Sequence, residues 1–166
     1  YGMTGVSGIL LCARQFMNSL EDSSLEECKR AIEDEPWLLA YYEIGDKFIK
    51  SKDGRISFAF AGLDRNIASI KSKGRLLLCW VDEAEPVTDE AFTTLIPTLR
   101  EEGDGWNAEL WVTWNPKRKI AAVEKRFRQT QSLRVKVAQC NWKDNPKFPA
   151  KLERDRQTDL IERPEQ

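Results

Sequence analysis

Histidine is absent from all 166 residues. That excludes histidine-dependent nucleophilic triads. The four cysteines, Cys12, Cys28, Cys79 and Cys140, are far apart and form no CxxC pair. Without histidine or paired cysteines the usual zinc ligand sets are excluded too, and reduced, structural thiols are the expectation. No apolar run approaches the ~20 residues that a membrane-spanning helix needs, so no membrane partner is expected. Internal repeats and low-complexity tracts are missing. The phosphate-cradling pattern GxxxxGK[ST] occurs nowhere. The chain opens on Tyr1 rather than Met, which is read as leaving room for a segment upstream.

The residues that are present describe an ordinary globular chain, 41% apolar and 32% charged, about one domain long and able to bury a core. A net charge of −1 conceals an asymmetry. Residues 1–115 carry 12 Lys/Arg against 20 Asp/Glu, and residues 116–166 carry 14 against 7. The basic third is suited to approach a nucleic-acid backbone. The plainer alternative is a solvated surface, because its basic residues are interleaved with acids.

One segment stands out. Leu76-Leu77-Leu78-Cys79-Trp80-Val81 is an apolar run that ends in Asp82-Glu83-Ala84-Glu85. Such a run reads as a strand buried on both faces of a parallel sheet, and ligands of open α/β sheets bind at the carboxyl ends of strands. There, Asp82 is placed to hold Mg²⁺ and Glu83 to position or deprotonate a water, the Walker B arrangement of a nucleotide-hydrolysing motor. The alternative is a buried strand that ends in acids because a helix begins next.

Around it the pattern alternates between strands and helices. A strand is expected at Ile9–Ala13, with Arg14 at its carboxyl end, then a helix from Phe16 to Ile32. The alternating runs 41–50 and 55–61 flank Lys52-Asp53-Gly54, a hairpin signal. A short helix is expected at 64–72, a second opening at Thr88, a strand at 109–114 stopped by Asn115-Pro116, a helix at 119–127, a strand at 133–140 and a charged helix at 148–161. The fold class is therefore α/β: a layered, mostly parallel sheet of the P-loop ATPase type with an antiparallel hairpin insert.

Other candidate site residues follow from strand ends. Thr113 and Asn115 close the 109–114 strand, where a hydroxyl and an amide can sense a γ-phosphate; the alternative is a turn in which Asn115 caps a helix with Pro116 at its first position. Arg14 is suited to contact phosphate, to act on a neighbouring subunit's nucleotide, or to pair with a carboxylate of the fold. Lys71, Lys73 and Arg75 form a basic cluster before the Leu76 strand, a DNA or phosphate contact or else a solvated loop.

Several segments resemble the large terminase subunit of tailed bacteriophages, of the type found in prophages. They are Ser69-Ile70-Lys71-Ser72-Lys73-Gly74, Trp80 through Thr88, Leu95 through Arg100, and Glu109 through Pro116, the last matching that family's coupling motif. Leu11 through Gln15 with Asn18-Ser19, and Asp144-Asn145-Pro146 with Phe148-Pro149, resemble further segments in the family's order. The resemblance implies a DNA-packaging motor that uses ATP and Mg²⁺ to drive viral DNA into procapsids in the bacterial host cytoplasm during virion assembly. Its implied partners are double-stranded DNA, the portal protein, the small terminase subunit and other copies of itself in a ring. By resemblance Asp82 helps hold Mg²⁺, Glu83 activates water, and Thr113 and Asn115 belong to the coupling motif; Arg14 matches a family arginine to which no role is assigned. The absent P-loop and nuclease acids imply that residues 1–166 are an ATPase-domain fragment, little active by itself. The alternatives are a catalytically inactive relic or binding module contacting DNA, portal or small terminase, and a helicase-like P-loop ATPase.

Overall fold

The computed structural model describes residues 1–16, 24–64, 70, 74–130 and 132–163. The chain forms two compact units, Tyr1–Thr130 and Gln131–Gln166.

The first unit is built on a six-stranded sheet. Its strands are β1 (Gly8–Arg14), β2 (Tyr42–Ile44), β3 (Ile49–Ser51), β4 (Ile56–Gly62), β5 (Leu76–Val81) and β8 (Glu109–Val112), in the order β2-β3-β4-β1-β5-β8. β4, β1, β5 and β8 are all parallel. β2 and β3 extend the sheet antiparallel from the β4 side. The expected α/β class and mostly parallel sheet are observed, and the hairpin turns at Asp53-Gly54 as its sequence signal required, with Gly54 at φ 74°. The hairpin is continuous with the main sheet, because its second arm, β4, pairs along its whole length with β1.

Side-chain alternation explains how both faces are covered. On β1, Leu11 and Ala13 face one core with Ala61 of β4 and Cys79 and Val81 of β5. That core is closed by α3 (Asp89–Leu95), which contributes Ala91, Phe92 and Leu95, and by Ala121 and Val123. The opposite face gathers Phe58 and Phe60 of β4 with Leu25, Cys28 and Ile32 of α1 (Leu25–Glu33) and Leu38 of α2 (Pro36–Tyr41). α3 starts at its expected residue: the Thr88 hydroxyl accepts from the Ala91 amide at 3.1 Å.

Other elements differ from expectation. The 16–32 helix is observed only as Leu25–Glu33; Phe16 is exposed outside it, and Leu20 lies outside the described residues. The 64–72 helix falls almost wholly outside the described residues. Gly103-Asp104-Gly105 is not a plain loop but the tip of a small hairpin, β6 (Glu102–Gly103) with β7 (Trp106–Asn107). No helix begins at Pro116; the 119–127 helix is instead a π-helical segment, Glu124–Gln129. In the second unit α4 (Ala150–Glu162) forms as expected. The expected strand at 133–140 does not: alternation specifies a strand only where a partner strand offers hydrogen bonds and a face to bury. The described residues of this unit contain no strand, and Leu133 is fully exposed.

Candidate functional site

Parallel pairing puts the carboxyl ends of β1, β5 and β8 on one edge of the sheet, and backbone hydrogen bonds continue past the strands to fix it. The Asp82 amide donates to the Ala13 carbonyl at 2.9 Å, the Thr113 amide to Val81 at 3.0 Å, and the Ala84 amide to Thr113 at 3.0 Å. Glu83 is held between these ties at φ 48°, the one non-glycine residue with positive φ among those described. Such a backbone costs of order 1–3 kcal/mol and persists only where the surroundings impose it. Here it makes the two adjacent carboxylates diverge. The Asp82 side chain is 15% exposed and that of Glu83 70%.

Asp82 is held from three elements. Arg14 at the end of β1 donates through Nε at 3.0 Å and through Nη2 to Oδ2, an ion pair whose arginine side chain is only 8% exposed. Ser24, the buried residue capping α1, brings its hydroxyl to 3.5 Å from the same oxygen. Thr113, just past β8, donates to Oδ1 at 2.9 Å. The direction of that last bond is set by Trp80, whose indole Nε1 donates to the Thr113 oxygen at 2.9 Å. An indole is a donor only, so the threonine oxygen accepts from it and the single hydroxyl hydrogen goes to Asp82. Glu83 reaches the cluster through Arg14 Nη1, at 3.5 Å. Glu85, the third acid of the run, is drawn away, accepting from Arg118 Nε and the Arg118 amide, both at 3.1 Å.

Four expected site residues, Arg14, Asp82, Glu83 and Thr113, are thus brought together. Asn115 is exposed and takes no part in holding Asp82. Lys71 and Lys73 lie outside the described residues. Arg75 is at the opposite end of β5, where it donates to Glu101 at 2.8 Å and lies 5.6 Å over the Trp106 ring. Two residues escaped the sequence reading. Trp80 carried a signal, since on an alternating strand it shares a face with Asp82. Ser24 carried none, because only the packing of α1 brings it to the sheet edge.

The donors here are oxygens, which suits a hard divalent cation. Among the described residues no group of three or more acids, cysteines or histidines forms a metal cage. Mg²⁺ does not need one: it is held by one or two carboxylates together with waters and substrate phosphates. At the same end of the sheet the buried Gln15 Oε1 has no hydrogen-bond partner among the described residues, a group that a ligand or water can satisfy.

Residues 6–161 match the family model described as "Phage terminase large subunit". This chain belongs to the phage terminase large subunit family. The solved large terminase from a thermophilic bacteriophage is similar to this terminase chain with a TM-score of 0.58 and 16% identity, over 74% of this chain and 30% of that one. At that identity the likeness establishes the fold, and the chain spans less than a third of the length of that solved terminase. Comparison with curated proteins finds no match. No described helix of this terminase chain is long and apolar enough to cross a membrane.

Proposed function

We propose that this chain is the ATPase part of a motor that packages phage DNA, with Asp82 holding Mg²⁺ and Glu83 positioning or deprotonating the water that attacks the γ-phosphate. The observation that carries this is the pairing of two neighbouring carboxylates in opposite environments at the carboxyl end of a parallel sheet, one fixed and one free to reach a ligand. Mg²⁺ supplies charge neutralisation for phosphate oxygens when bound. The chain's own residues do the rest. Thr113 and Ser24 orient the Asp82 carboxylate. Arg14 shields it and competes with any cation for it. Thr113 and Trp80 tie β8 to the same carboxylate, so a change at Asp82 is felt in the strand that leads to Asn115. Double-stranded DNA, the portal, the small terminase subunit and other copies in a ring are the proposed partners, acting in the host cytoplasm.

Mg²⁺-dependent ATPase measured on the protein made from the native gene tests this. Glu83→Gln should retain ATP binding and lose turnover by about 10²–10⁴-fold, the range of general-base catalysis. Turnover unchanged in Glu83→Gln sinks the assignment. The 166 residues alone should be inactive, because GxxxxGK[ST] is absent from them and phosphoryl transfer depends on positioning the phosphates. That absence also favours a second reading, a module that binds DNA or assembly partners without hydrolysis. An ATP-analogue titration beside DNA binding over a salt series separates the two: steeply salt-dependent DNA affinity with no nucleotide binding supports the module.

A further inference from the structure

Cys12 and Cys28 face each other, sulfur to sulfur, at 3.9 Å. Alternation on β1 explains the meeting. Leu11 and Ala13 turn to one core, so Cys12 turns to the other face, where α1 lies. On α1, Cys28 sits one turn before the buried Ile32 and shares its stripe. The two thiols differ in access: Cys12 is buried at 4% exposure, while Cys28 is half-buried. They also differ in acidity. The hydrogen bond between them, with burial adding to it, pushes the Cys12 thiol up, and the same bond lowers Cys28. Cys79 is buried in the opposite core and pushed up to about 12 by that burial, and Cys140 is exposed in the second unit.

We propose that Cys12 and Cys28 form an oxidisable dithiol, a modification site at which a low-molecular-weight disulfide closes a covalent clamp between β1 and α1. The step balances without a metal or further oxidant. The more accessible Cys28 thiolate attacks one sulfur of the small disulfide and expels a small thiolate, leaving a mixed disulfide on Cys28. Cys12 then loses its proton and attacks the Cys28 sulfur, expelling the second small thiol. Two protein thiols are oxidised, and one small disulfide is reduced to two thiols. Closure brings the sulfurs from 3.9 Å to about 2.05 Å.

The clamp's position gives it consequence. β1 carries Arg14 two residues beyond Cys12, and α1 carries Ser24 at the cap before its first residue. Both reach Asp82. The disulfide joins the two elements that hold this carboxylate from one side. Its formation is independent of the nucleotide reading and can be read without any activity.

The test treats the whole reduced chain with oxidised glutathione under native conditions, quenches with iodoacetamide, and maps peptides without reduction. The expected product is a Cys12–Cys28 crosslink two hydrogens lighter than the dithiol, reversed by dithiothreitol, with Cys79 unreacted. Cys12→Ser should stop at glutathione on Cys28, and Cys28→Ser should leave Cys12 a thiol. Mapping the wild-type chain decides the matter even if a variant folds poorly. The proposal is overturned if wild-type Cys28 stays a mixed disulfide, if both thiols remain open to alkylation, if Cys12 pairs with Cys79, or if the crosslink forms only in denaturant.

Discussion

Asp82→Asn removes a charge but almost no volume, and its cost can be worked from the geometry. The Arg14 and Asp82 side chains are 8% and 15% exposed, so the pair is largely removed from water. Removing one partner of such a pair costs about 3–5 kcal/mol, because the other charge is left buried. Two features set the value here. Glu83 stays 3.5 Å from Arg14 as a second anion, but at 70% exposure it offsets less than about 1 kcal/mol. The new amide can keep its oxygen toward Arg14 and turn its NH2 to the Thr113 oxygen, which accepts from Trp80 and has a second lone pair, so the lost charge is the main cost. The expected loss is about 2–4 kcal/mol. With a urea slope near ~2 kcal/mol/M the unfolding midpoint falls by about 1–2 M. Tryptophan fluorescence reads it, since five of the six tryptophans lie in the first unit. The double variant Arg14→Met with Asp82→Leu should lose less than Asp82→Asn alone, because no charge is left stranded. A midpoint shift below about 0.3 M for Asp82→Asn would refute the view that the pair holds this edge together.

Thr113→Val keeps shape but leaves the Trp80 indole and Asp82 Oδ1 each without a partner; a destabilisation of about 1–2 kcal/mol is expected, and Trp80→Phe should add little in that background if the two bonds form one relay. β8 is the last strand of the sheet and Trp111 on it is 59% exposed, so the isolated chain should self-associate with rising concentration and Trp111→Lys should suppress this; a clean monomer at high concentration in size-exclusion chromatography counts against it. On α4, hydrogen bonds from Arg156 and then Gln157 hold the Glu153 carboxyl at about 2, well below its ordinary 4.5. The sign for a depressed acid is that its support is present above the ordinary value and lost as pH falls through the lowered one, so local helix order should weaken between pH 4.5 and about 2. A carboxyl ¹³C titration of Glu153 with its midpoint near 4.5 would contradict that pairing.

What could be read from the residues, and what could not, divides along physical lines. β5 was legible to the residue because a strand buried on both faces needs an unbroken apolar run, and Leu76–Val81 is that run. Arg14, Asp82 and Thr113 were legible as strand-end residues, since parallel strands must end on a common edge. Their mutual bonding was not, because which strand lies beside which is fixed by register across long separations. The order β1-β5-β8 decides that Arg14 and Thr113 reach Asp82 from opposite sides while Asn115 does not. The left-handed turn at Glu83 was equally hidden: local preference opposes it in glutamate, and only the backbone ties on either side impose it. The false strand at 133–140 shows the converse, a local pattern with no sheet edge to satisfy it.

The β6–β7 hairpin lies in sequence just before β8, and its Glu101 and Trp106 neighbours hold Arg75 just before β5. It therefore belongs to the amino ends of the strands, the far side of the sheet from Asp82. Its tip, Asp104-Gly105, is exposed, and Gly105 adopts a turn conformation that no packed side chain constrains. A dye or affinity tag grafted there would report on the molecule from the end opposite Asp82, leaving the Asp82 edge open to ligands and partners.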